Sequence, residues 1–447
     1  MNKPALIDNY FEKYAADASV WKITANYPKA LRQVVVIPAY AENEMLFGTL
    51  VSLARNPASQ LEKTLIICVV NNKQDAGSVV RENNFQTIQR LDALIENKSA
   101  YACVSGSGQE KIMQEIAASP LKLGYVDASS HGCEIPRNEG GVGMARKIGM
   151  DAALSLLRET MDEPGLILSL DADTRVEPNY LEAISQYFTN NTHAAVVAYA
   201  HDLPEEPEMR EAICCYEIFL RYWVLGLRYA RSPYAYHAVA STIVTTARAY
   251  LDVRGMNRRA AGEDFYFLNK LAKLGQIGHV NTTKIYPSAR ISDRVPFGTG
   301  AAMERTLSGQ RMRHLLYDPR VFDILAKWLL LMKDSCREDP RNILEKADNI
   351  HPRLSAFLMQ RRFTDVWTKI GKNVKSTNHL HRQFHIWFDG FETLKLVNDL
   401  TRNIYPGIDM YDALSTLLKQ MSKTHPDDLF CSRDSAAGIL RYLRAMD

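Results

Sequence analysis

Between residues 33 and 200, short runs of apolar, mostly β-branched residues alternate with helical patterns, and this alternation limits the possible folds more than any other feature. Each run is continuous rather than alternating, which is typical of strands buried on both faces of a sheet. Helical patterns separate them, as in residues 44–54 and 143–157. This order predicts an α/β domain with a mostly parallel sheet and helices on both faces. The runs are VVVIP (34–38), LIICVV (65–70), LILSL (166–170) and AAVVAYA (194–200).

The pattern changes after residue 316. Strand-like runs vanish and helical patterns dominate, as in VFDILAKWLLLMK (321–333) and YDALSTLLKQM (411–421). A chain of 447 residues is long enough for two or three domains. We therefore predict an α/β domain over residues 1–316 and a helical C-terminal domain over residues 317–447.

Composition excludes several classes of protein. Hydrophobic residues make up 46%, charged residues 23%, and the net charge is +3, so nothing calls for a nucleic-acid partner. The seven cysteines include no CxxC pair, which fits a reducing compartment. The longest apolar stretch, residues 213–230, is interrupted by charges, and the N-terminus lacks a signal-peptide pattern. We expect a cytoplasmic protein without a transmembrane span. Peripheral contact with a membrane and the oligomeric state stay open.

Two aspartates directly follow the third apolar run. Parallel sheets bind ligands at the carboxyl ends of their strands, and LILSLDADTRVEP places Asp171 and Asp173 there. In an extended chain residues i and i+2 point the same way, so two carboxylates in this arrangement attract a cation. Ligation by oxygen alone suits Mg²⁺ or Mn²⁺, which can bridge a diphosphate. The alternative is a turn with ordinary surface aspartates.

Other motifs surround this one in a recognisable order. VVVIPAYAENEMLFGTLVSL forms the first strand and helix, VVNNKQD follows the second strand, and RNEGGVGMARKIGMDAAL starts a helix before LDADTRVEP. From about residue 34 to residue 314 the chain resembles the family 2 glycosyltransferases. That resemblance implies the GT-A fold, a Rossmann-like fold that binds nucleotide-sugars.

The resemblance also implies where the donor nucleotide binds. Pro38, Tyr40 and Glu42 match the segment that lines the nucleotide pocket. Asn71 and Asn72 stand where the family usually has aspartates. Amides can still hydrogen-bond a base or a ribose, so Asn71 is kept as a donor-binding residue.

The matching positions around the donor phosphates come from the helix entry and the aspartate motif. Asn138, Gly141 and Arg146 match the family's helix entry, and a helix N-terminus with a nearby arginine suits an anionic donor. Asp173 matches the ligand of the metal ion, Mg²⁺ or Mn²⁺. Asp171 matches the residue nearer the ribose.

The segment STIVTTARAYLDVRGMNRRAAGEDFYFLNKLAKLG resembles the acceptor half of the family and contains its Glu-Asp pair, Glu263 and Asp264. An acceptor hydroxyl must lose a proton as it attacks the anomeric carbon, and a carboxylate within reach can take that proton. The match implies that Asp264 is the general base of a single displacement with inversion and that Glu263 beside it is a second catalytic residue. The alternative is that both acidic residues merely start a helix, where they suit its dipole.

A further motif, SGQRMRHLL, contains Gln310, Arg313 and His314. It resembles the Gln-x-x-Arg-Trp motif of processive family members, with histidine in place of tryptophan. The resemblance implies that Gln310 and Arg313 belong to the donor site, where Arg313 stabilises the leaving diphosphate. A plain basic helix face is the alternative, and His314 is a candidate third metal ligand. The glycine-rich residues 293–303 are either a lid or an ordinary loop.

The resulting hypothesis is a metal-dependent inverting glycosyltransferase with a nucleotide-sugar donor and an acceptor that is a saccharide, a lipid or a small molecule. One alternative is a haloacid-dehalogenase-like phosphatase, which also has a strand followed by DxD. That family has Thr or Val two residues after the second aspartate, where this chain has Arg175. The other alternative is a non-catalytic nucleotide-sugar-binding scaffold, which Asn71 and Asn72 suggest and the retained acidic pairs oppose.

Overall fold

The computed structural model describes residues 3–28, 30–96, 108–158, 165–188, 191–259, 261–290, 315–422 and 436–447. The strands are β1 (Ile23–Ala25), β2 (Gln33–Ala39), β3 (Thr64–Asn71), β4 (Lys122–Ala128), β5 (Leu166–Ser169), β6 (Arg175–Val176), β7 (Ala194–Tyr199), β8 (Ile243–Thr246), β9 (Gly278–Tyr286), β10 (Leu315–Leu316) and β11 (Ile408–Asp409). The first helices are α1 (Lys3–Lys13), α2 (Leu46–Ala54), α3 (Ala58–Leu61), α4 (Ser78–Glu96), α5 (Gly108–Ala118), α6 (Gly141–Leu156), α7 (Tyr180–Tyr187), α8 (Pro207–Tyr229), α9 (Ala247–Asp252) and α10 (Glu263–Leu271). The later helices are α11 (Pro319–Ser335), α12 (Pro340–Ile350), α13 (Pro352–Gln360), α14 (Phe363–Asn373), α15 (Thr377–Trp387), α16 (Gly390–Asn403), α17 (Met410–Gln420) and α18 (Ala436–Met446).

Nine of the described strands form one sheet in the order β1-β4-β3-β2-β5-β8-β7-β9-β6. β2 pairs in parallel with β3 and β5, and β3 pairs in parallel with β4. β8 is antiparallel to both of its neighbours, whereas β7 and β9 are parallel. Every residue of β2, β3 and β5 is buried, as their continuous apolar runs predict. The predicted fold class, an α/β region with a mostly parallel sheet followed by a helical C-terminal region, is confirmed.

The strand order reverses between β2 and β5. The chain passes from β2 to β3 and β4 on one side and then places β5 on the other side of β2. In open α/β sheets, ligands bind at the carboxyl ends of the strands beside such a reversal. The segments that emerge there are residues 40–42, after β2, and residues 170–173, after β5.

Helix α6 crosses one face of the sheet at close range. A side chain at Gly149 would meet Val36 Cγ1 of β2 at 2.4 Å and Val69 Cγ2 of β3 at 2.8 Å. The missing side chain therefore lets the helix lie directly on these two strands. Most of α6 is buried, including Arg146 and Lys147. A charged residue on this helix must find its partners inside the protein, because buried charges are stable only when paired.

The described residues pack into two units. The first comprises those within Met1–Asp202 and Ala238–Ala301, and the second those within Leu203–His237 and Ala302–Asp447. Helix α8 therefore belongs with the C-terminal helices rather than with the sheet. The predicted domain division at residues 316 and 317 stays a prediction, because a unit defined by packing need not fold alone.

The second unit has a core of aromatic residues. The Trp328 ring lies with its centroid 5.6 Å from the centroids of Phe363 and Phe384, in edge-to-face contact with both. A side chain at Gly226 of α8 would meet the Phe322 ring of α11 at 2.4 Å, so these two helices approach closely. Among the described helices, none combines the length and hydrophobicity that crossing a bilayer requires.

Candidate active site

The aspartate motif forms a turn at the end of β5. The Leu170 amide donates to Val36 O at 3.0 Å, and the Thr174 amide donates back to Asp171 O at 3.1 Å. From α2, the Thr49 hydroxyl donates to Ala172 O at 2.8 Å. The chain therefore stops being extended at Asp171. The prediction that Asp171 and Asp173 point the same way from an extended chain is wrong, because these residues form a turn. The two carboxylates of this turn pair with different arginines.

Asp171 pairs with Arg146, the buried arginine of α6. Arg146 Nη2 donates to Asp171 Oδ1, its Nη1 donates to Ser169 Oγ at 2.8 Å, and its Nε donates to Glu263 Oε1 at 3.1 Å. The Ser241 hydroxyl donates to the other carboxylate oxygen, Asp171 Oδ2. Burial alone lowers the pKa of the Arg146 guanidinium, but the two carboxylates outweigh it and raise that pKa above its ordinary value. Arg146 thus joins the end of β5 to the start of α10.

The Glu-Asp pair starts α10 behind a left-handed glycine. Gly262 has φ +70°, which residues with a side chain rarely adopt, and it turns the chain into the helix. Glu263 is buried and faces Arg146, whereas Asp264 is half-buried and accepts the Phe265 amide at 2.7 Å. Glu263 therefore holds the arginine, and Asp264 is the less buried residue of this pair.

The environment of Asp264 favours its neutral form. Burial raises the pKa of Asp264 to about 7, with further contributions from the negative charges of Glu263 and Asp171. The Arg146 guanidinium opposes this shift. The carboxylate titrates near neutral pH, which is the range that suits a group that takes and releases protons.

A second arginine, Arg290, lies after β9 and bridges two carboxylates. Its Nη2 lies 2.9 Å from Asp173 Oδ2 and also donates to Glu42 Oε1. Burial raises the pKa of Asp173 to about 6, and the charges of Asp171 and Glu42 also raise it, while Arg290 lowers it. The segments after β2, β5 and β9 therefore meet around one cation.

These contacts bring the two predicted acidic groups into one site. The charge of Asp171 acts on both Asp173 and Asp264, so the aspartate turn and the start of α10 face the same region. Around it lie five carboxyl groups and two guanidinium groups, an excess of negative charge that favours a bound cation. Within the described residues, no group of three or more His, Cys, Asp or Glu side chains has the geometry of a metal site.

The predicted nucleotide pocket is built around an amide network. Pro38 is buried in β2, and Tyr40 is half-buried just after it. Asn71 Nδ2 donates to Val69 O at 3.0 Å, so this amide is at least partly used within the strand. Asn138 is exposed in the loop that precedes α6, and Gly141 begins that helix. The roles of these residues toward a nucleotide stay predictions.

Asn84 of α4 connects the segment after β2 to the end of β3. Its Nδ2 donates to Asn71 O at 3.0 Å and to Asn72 Oδ1 at 2.9 Å. Its Oδ1 accepts the amide of Ala41 at 2.9 Å, and Ala41 has φ +52°. Asn72 therefore serves the framework of the pocket with its side-chain oxygen.

Three residues of the site carried no sequence signal that singled them out, namely Ser169, Ser241 and Arg290. Ser169 and Ser241 lie within predicted motifs, but the sequence did not predict their contacts with Arg146 and Asp171. Arg290 belongs to no motif. The predicted donor residues Gln310 and Arg313, together with His314 and the glycine-rich residues 293–303, lie outside the described residues.

No protein-family model matches this sequence, and no curated protein matches it. Similar solved structures include S. aureus TarS residues 1–349 in complex with UDP-GlcNAc, at 12% identity and a TM-score of 0.38, covering 79% of this chain and 90% of that chain. A mannosyltransferase from Pyrobaculum calidifontis in complex with GDP-Man and Mn²⁺ has 11% identity and a TM-score of 0.34, covering 99% of this chain and 94% of that chain. Similarity at this level does not identify a function.

Proposed function

We propose that this protein is an inverting glycosyltransferase of the family 2 type, which transfers a sugar from a nucleoside-diphosphate-sugar to an acceptor hydroxyl. The observation that carries the proposal is the Arg146 contact set. One buried guanidinium joins the aspartate turn after β5 to the acidic start of α10, beside the reversal in strand order. This arrangement places a polar, anionic site where open α/β sheets bind ligands.

The donor diphosphate needs a cation at this site, because the surrounding carboxylates would repel it. Asp173 and Asp171 are the residues that would hold Mg²⁺ or Mn²⁺, since carboxylate oxygens are the ligands these ions prefer. The Arg290 guanidinium lies against Asp173 as a positive charge, which supports a cation at this position. When bound, the metal ion would neutralise charge on the diphosphate as it leaves.

Asp264 is the proposed general base. The residue is half-buried, and Glu263 beside it is turned inward to Arg146. A base with a pKa of about 7 is ionised in a large part of the population at neutral pH and still holds a proton firmly once it has taken one. Attack of the acceptor oxygen on the anomeric carbon breaks the bond to the diphosphate, and the proton of the acceptor passes to Asp264.

For Glu263, which was predicted to be a second catalytic residue, the contact with Arg146 supports a positioning role. Its carboxylate is buried against Arg146, so we propose that it positions the arginine and raises the pKa of Asp264. The acceptor remains a saccharide, a lipid or a small molecule. The two alternative functions stay predictions: covalent trapping of a phosphoryl group on Asp171 would favour the phosphatase, and donor binding without hydrolysis or transfer would favour the scaffold.

A thermal-unfolding screen tests the proposal directly. Nucleoside diphosphates and nucleotide-sugars are added with and without Mn²⁺ to the full chain. A ligand present at 100 times its Kd stabilises the folded state by about 2.7 kcal/mol, so one nucleotide series should raise the melting temperature in an Mn²⁺-dependent way. No shift with any nucleotide, with or without the metal, would remove the donor site on which the proposal stands.

A further inference from the structure

Among the described charged groups of the site, Arg290 alone belongs to no predicted motif. Its guanidinium lies between Glu42, in the segment after β2, and Asp173, in the turn after β5. These two carboxylates flank the reversal in strand order. The position that a divalent cation would take on Asp173 is therefore held by a cation that belongs to the chain.

We propose that Arg290 is a built-in stand-in for the metal ion, which binds Asp173 in the ligand-free protein and moves to the donor diphosphate when metal and donor bind together. This inference rests on the proposed function. It assigns to Arg290 a role in coupling the two ligands, in addition to the roles of Asp173 and Asp264.

The argument begins with competition for one carboxylate. A guanidinium and a metal ion both require the oxygens of Asp173, and each would lower the affinity of the other there. Metal alone must displace Arg290, which then loses a charge-assisted hydrogen bond. We therefore expect Mn²⁺ alone to bind weakly.

The donor removes this penalty. Its diphosphate offers oxygens in the geometry that a guanidinium pairs with through two parallel hydrogen bonds. Arg290 can thus exchange one set of anionic partners for another, while the metal takes Asp173. Metal and nucleotide would then each raise the affinity for the other by the same factor.

The surroundings of Arg290 permit such an exchange. Its side chain is 31% exposed, whereas that of Arg146 is 3% exposed. Moving Arg290 does not open the core, because part of the side chain is already in water. Arg146 contacts three other groups inside the protein and has no comparable freedom.

Binding of Mn²⁺ alone tests the inference without any activity assay. The free Mn²⁺ signal in electron paramagnetic resonance gives the affinity for the wild type, for Arg290→Met and for a control, Arg55→Met. Arg55 forms an exposed ion pair with Glu115, and it touches neither Asp173 nor Glu42 in any described contact. We expect Arg290→Met to bind Mn²⁺ roughly tenfold more tightly than the wild type, within the usual range of coupling between two sites. Arg55→Met should match the wild type.

Calorimetry with UDP, GDP, ADP and CDP at saturating Mn²⁺ provides the second half of the test. We expect Arg290→Met to lower the affinity for the preferred nucleoside diphosphate roughly tenfold. Arg290→Lys should keep the weak binding of Mn²⁺ alone and recover only part of the nucleotide affinity, because an ammonium group lacks the paired donors. Opposite changes in the two affinities cannot come from general damage to the fold, which would lower both.

The outcomes separate this inference from the proposed function. If the wild type and Arg290→Met bind Mn²⁺ with equal affinity, or the variant binds it more weakly, the stand-in role is overturned while a metal-dependent donor site remains. If neither protein binds Mn²⁺ even with a nucleotide present, both the stand-in role and the metal dependence of the proposed function are overturned. Tighter Mn²⁺ binding with weaker nucleotide binding supports the inference.

Discussion

Arg146 and Arg290 have the same chemistry and opposite surroundings. Each joins two carboxylates, Asp171 and Glu263 for the first and Asp173 and Glu42 for the second. Arg146 itself is buried, and its pair with Glu263 is hard to break, because removing either partner leaves an uncompensated charge inside the protein. The partly exposed pairs of Arg290 can be replaced by water or by another ion. Burial thus separates a fixed framework on the Arg146 side from an exchangeable cation position on the Arg290 side.

The largest expected effect is on the framework side, at the proposed base. We expect Asp264→Asn to lower turnover by about 10²–10⁴-fold, the usual contribution of a general base, because the amide cannot take the acceptor proton. Mn²⁺-dependent binding of the nucleoside diphosphate should survive, as measured by calorimetry. Asp252→Asn, which alters an exposed pair with Arg248, is the control and should keep normal turnover. Normal turnover in Asp264→Asn would remove the base assignment.

The next effect is on stability. Arg146→Met should cost about 3–5 kcal/mol of unfolding free energy, since it leaves two carboxylates without their buried partner. Denaturant unfolding measures this change. The control Arg158→Met breaks an exposed pair with Asp8 and should cost about 0–1 kcal/mol after screening by solvent. Equal losses in the two variants would mean that Arg146 is not a framework residue.

On the exchangeable side, Asp173→Ala should reduce metal-dependent nucleotide binding. Groups that only orient a metal ligand are worth about 10–100-fold in affinity, so loss of a proposed ligand should cost at least roughly that much. Calorimetry at fixed Mn²⁺ gives the affinity for the nucleoside diphosphate. Unfolding free energy should change less than in Arg146→Met. An unchanged nucleotide affinity would contradict the assignment of Asp173 to the metal.

The smallest predicted effect is a pH dependence set by the framework side. Burial and the charges of Glu263 and Asp171 raise the pKa of Asp264 to about 7, against the opposing charge of Arg146. The active form is the ionised carboxylate, so the rate should rise with pH through that value. The ionised fraction grows about tenfold from one unit below the pKa to one unit above it. At saturating Mn²⁺ a flat rate profile would contradict the assignment, and Asp264→Asn should show no such rise.

Much of the sheet could be predicted from the sequence because its central strands are apolar on both faces. The four apolar runs all form strands, β2, β3, β5 and β7, and the last two of these strands end one residue before their runs. The sequence did not predict β9, because GHVNTTKIY is largely polar and only some of its residues are buried. The two-residue strand β6 is recognisable only through its pairing with β9. Such strands are defined by their neighbours rather than by their own residues.

The residues of the site likewise divide into some that the motifs predicted and one, Arg290, that they did not. Motif order pointed to Arg146, Asp171 and Glu263, and the structure joins them although Arg146 and Glu263 are 117 positions apart. Arg290 could not be predicted, because its partner Glu42 lies 248 positions away and no local pattern marks either contact. The inward direction of the Glu263 side chain, which separates its proposed role from that of Asp264, likewise depends on a distant partner, Arg146 of α6.

The side chain of Asn84 has a consequence for anyone who wishes to redesign donor preference. One amide group binds the backbone at Ala41, after β2, and at Asn71, the last residue of β3, in two segments predicted to contact the donor nucleotide. Substitutions in one of these segments will therefore alter the conformation of the other, because both are bound to the Asn84 side chain. Libraries intended to change the accepted nucleobase should therefore vary α4, the segment after β2 and the end of β3 together.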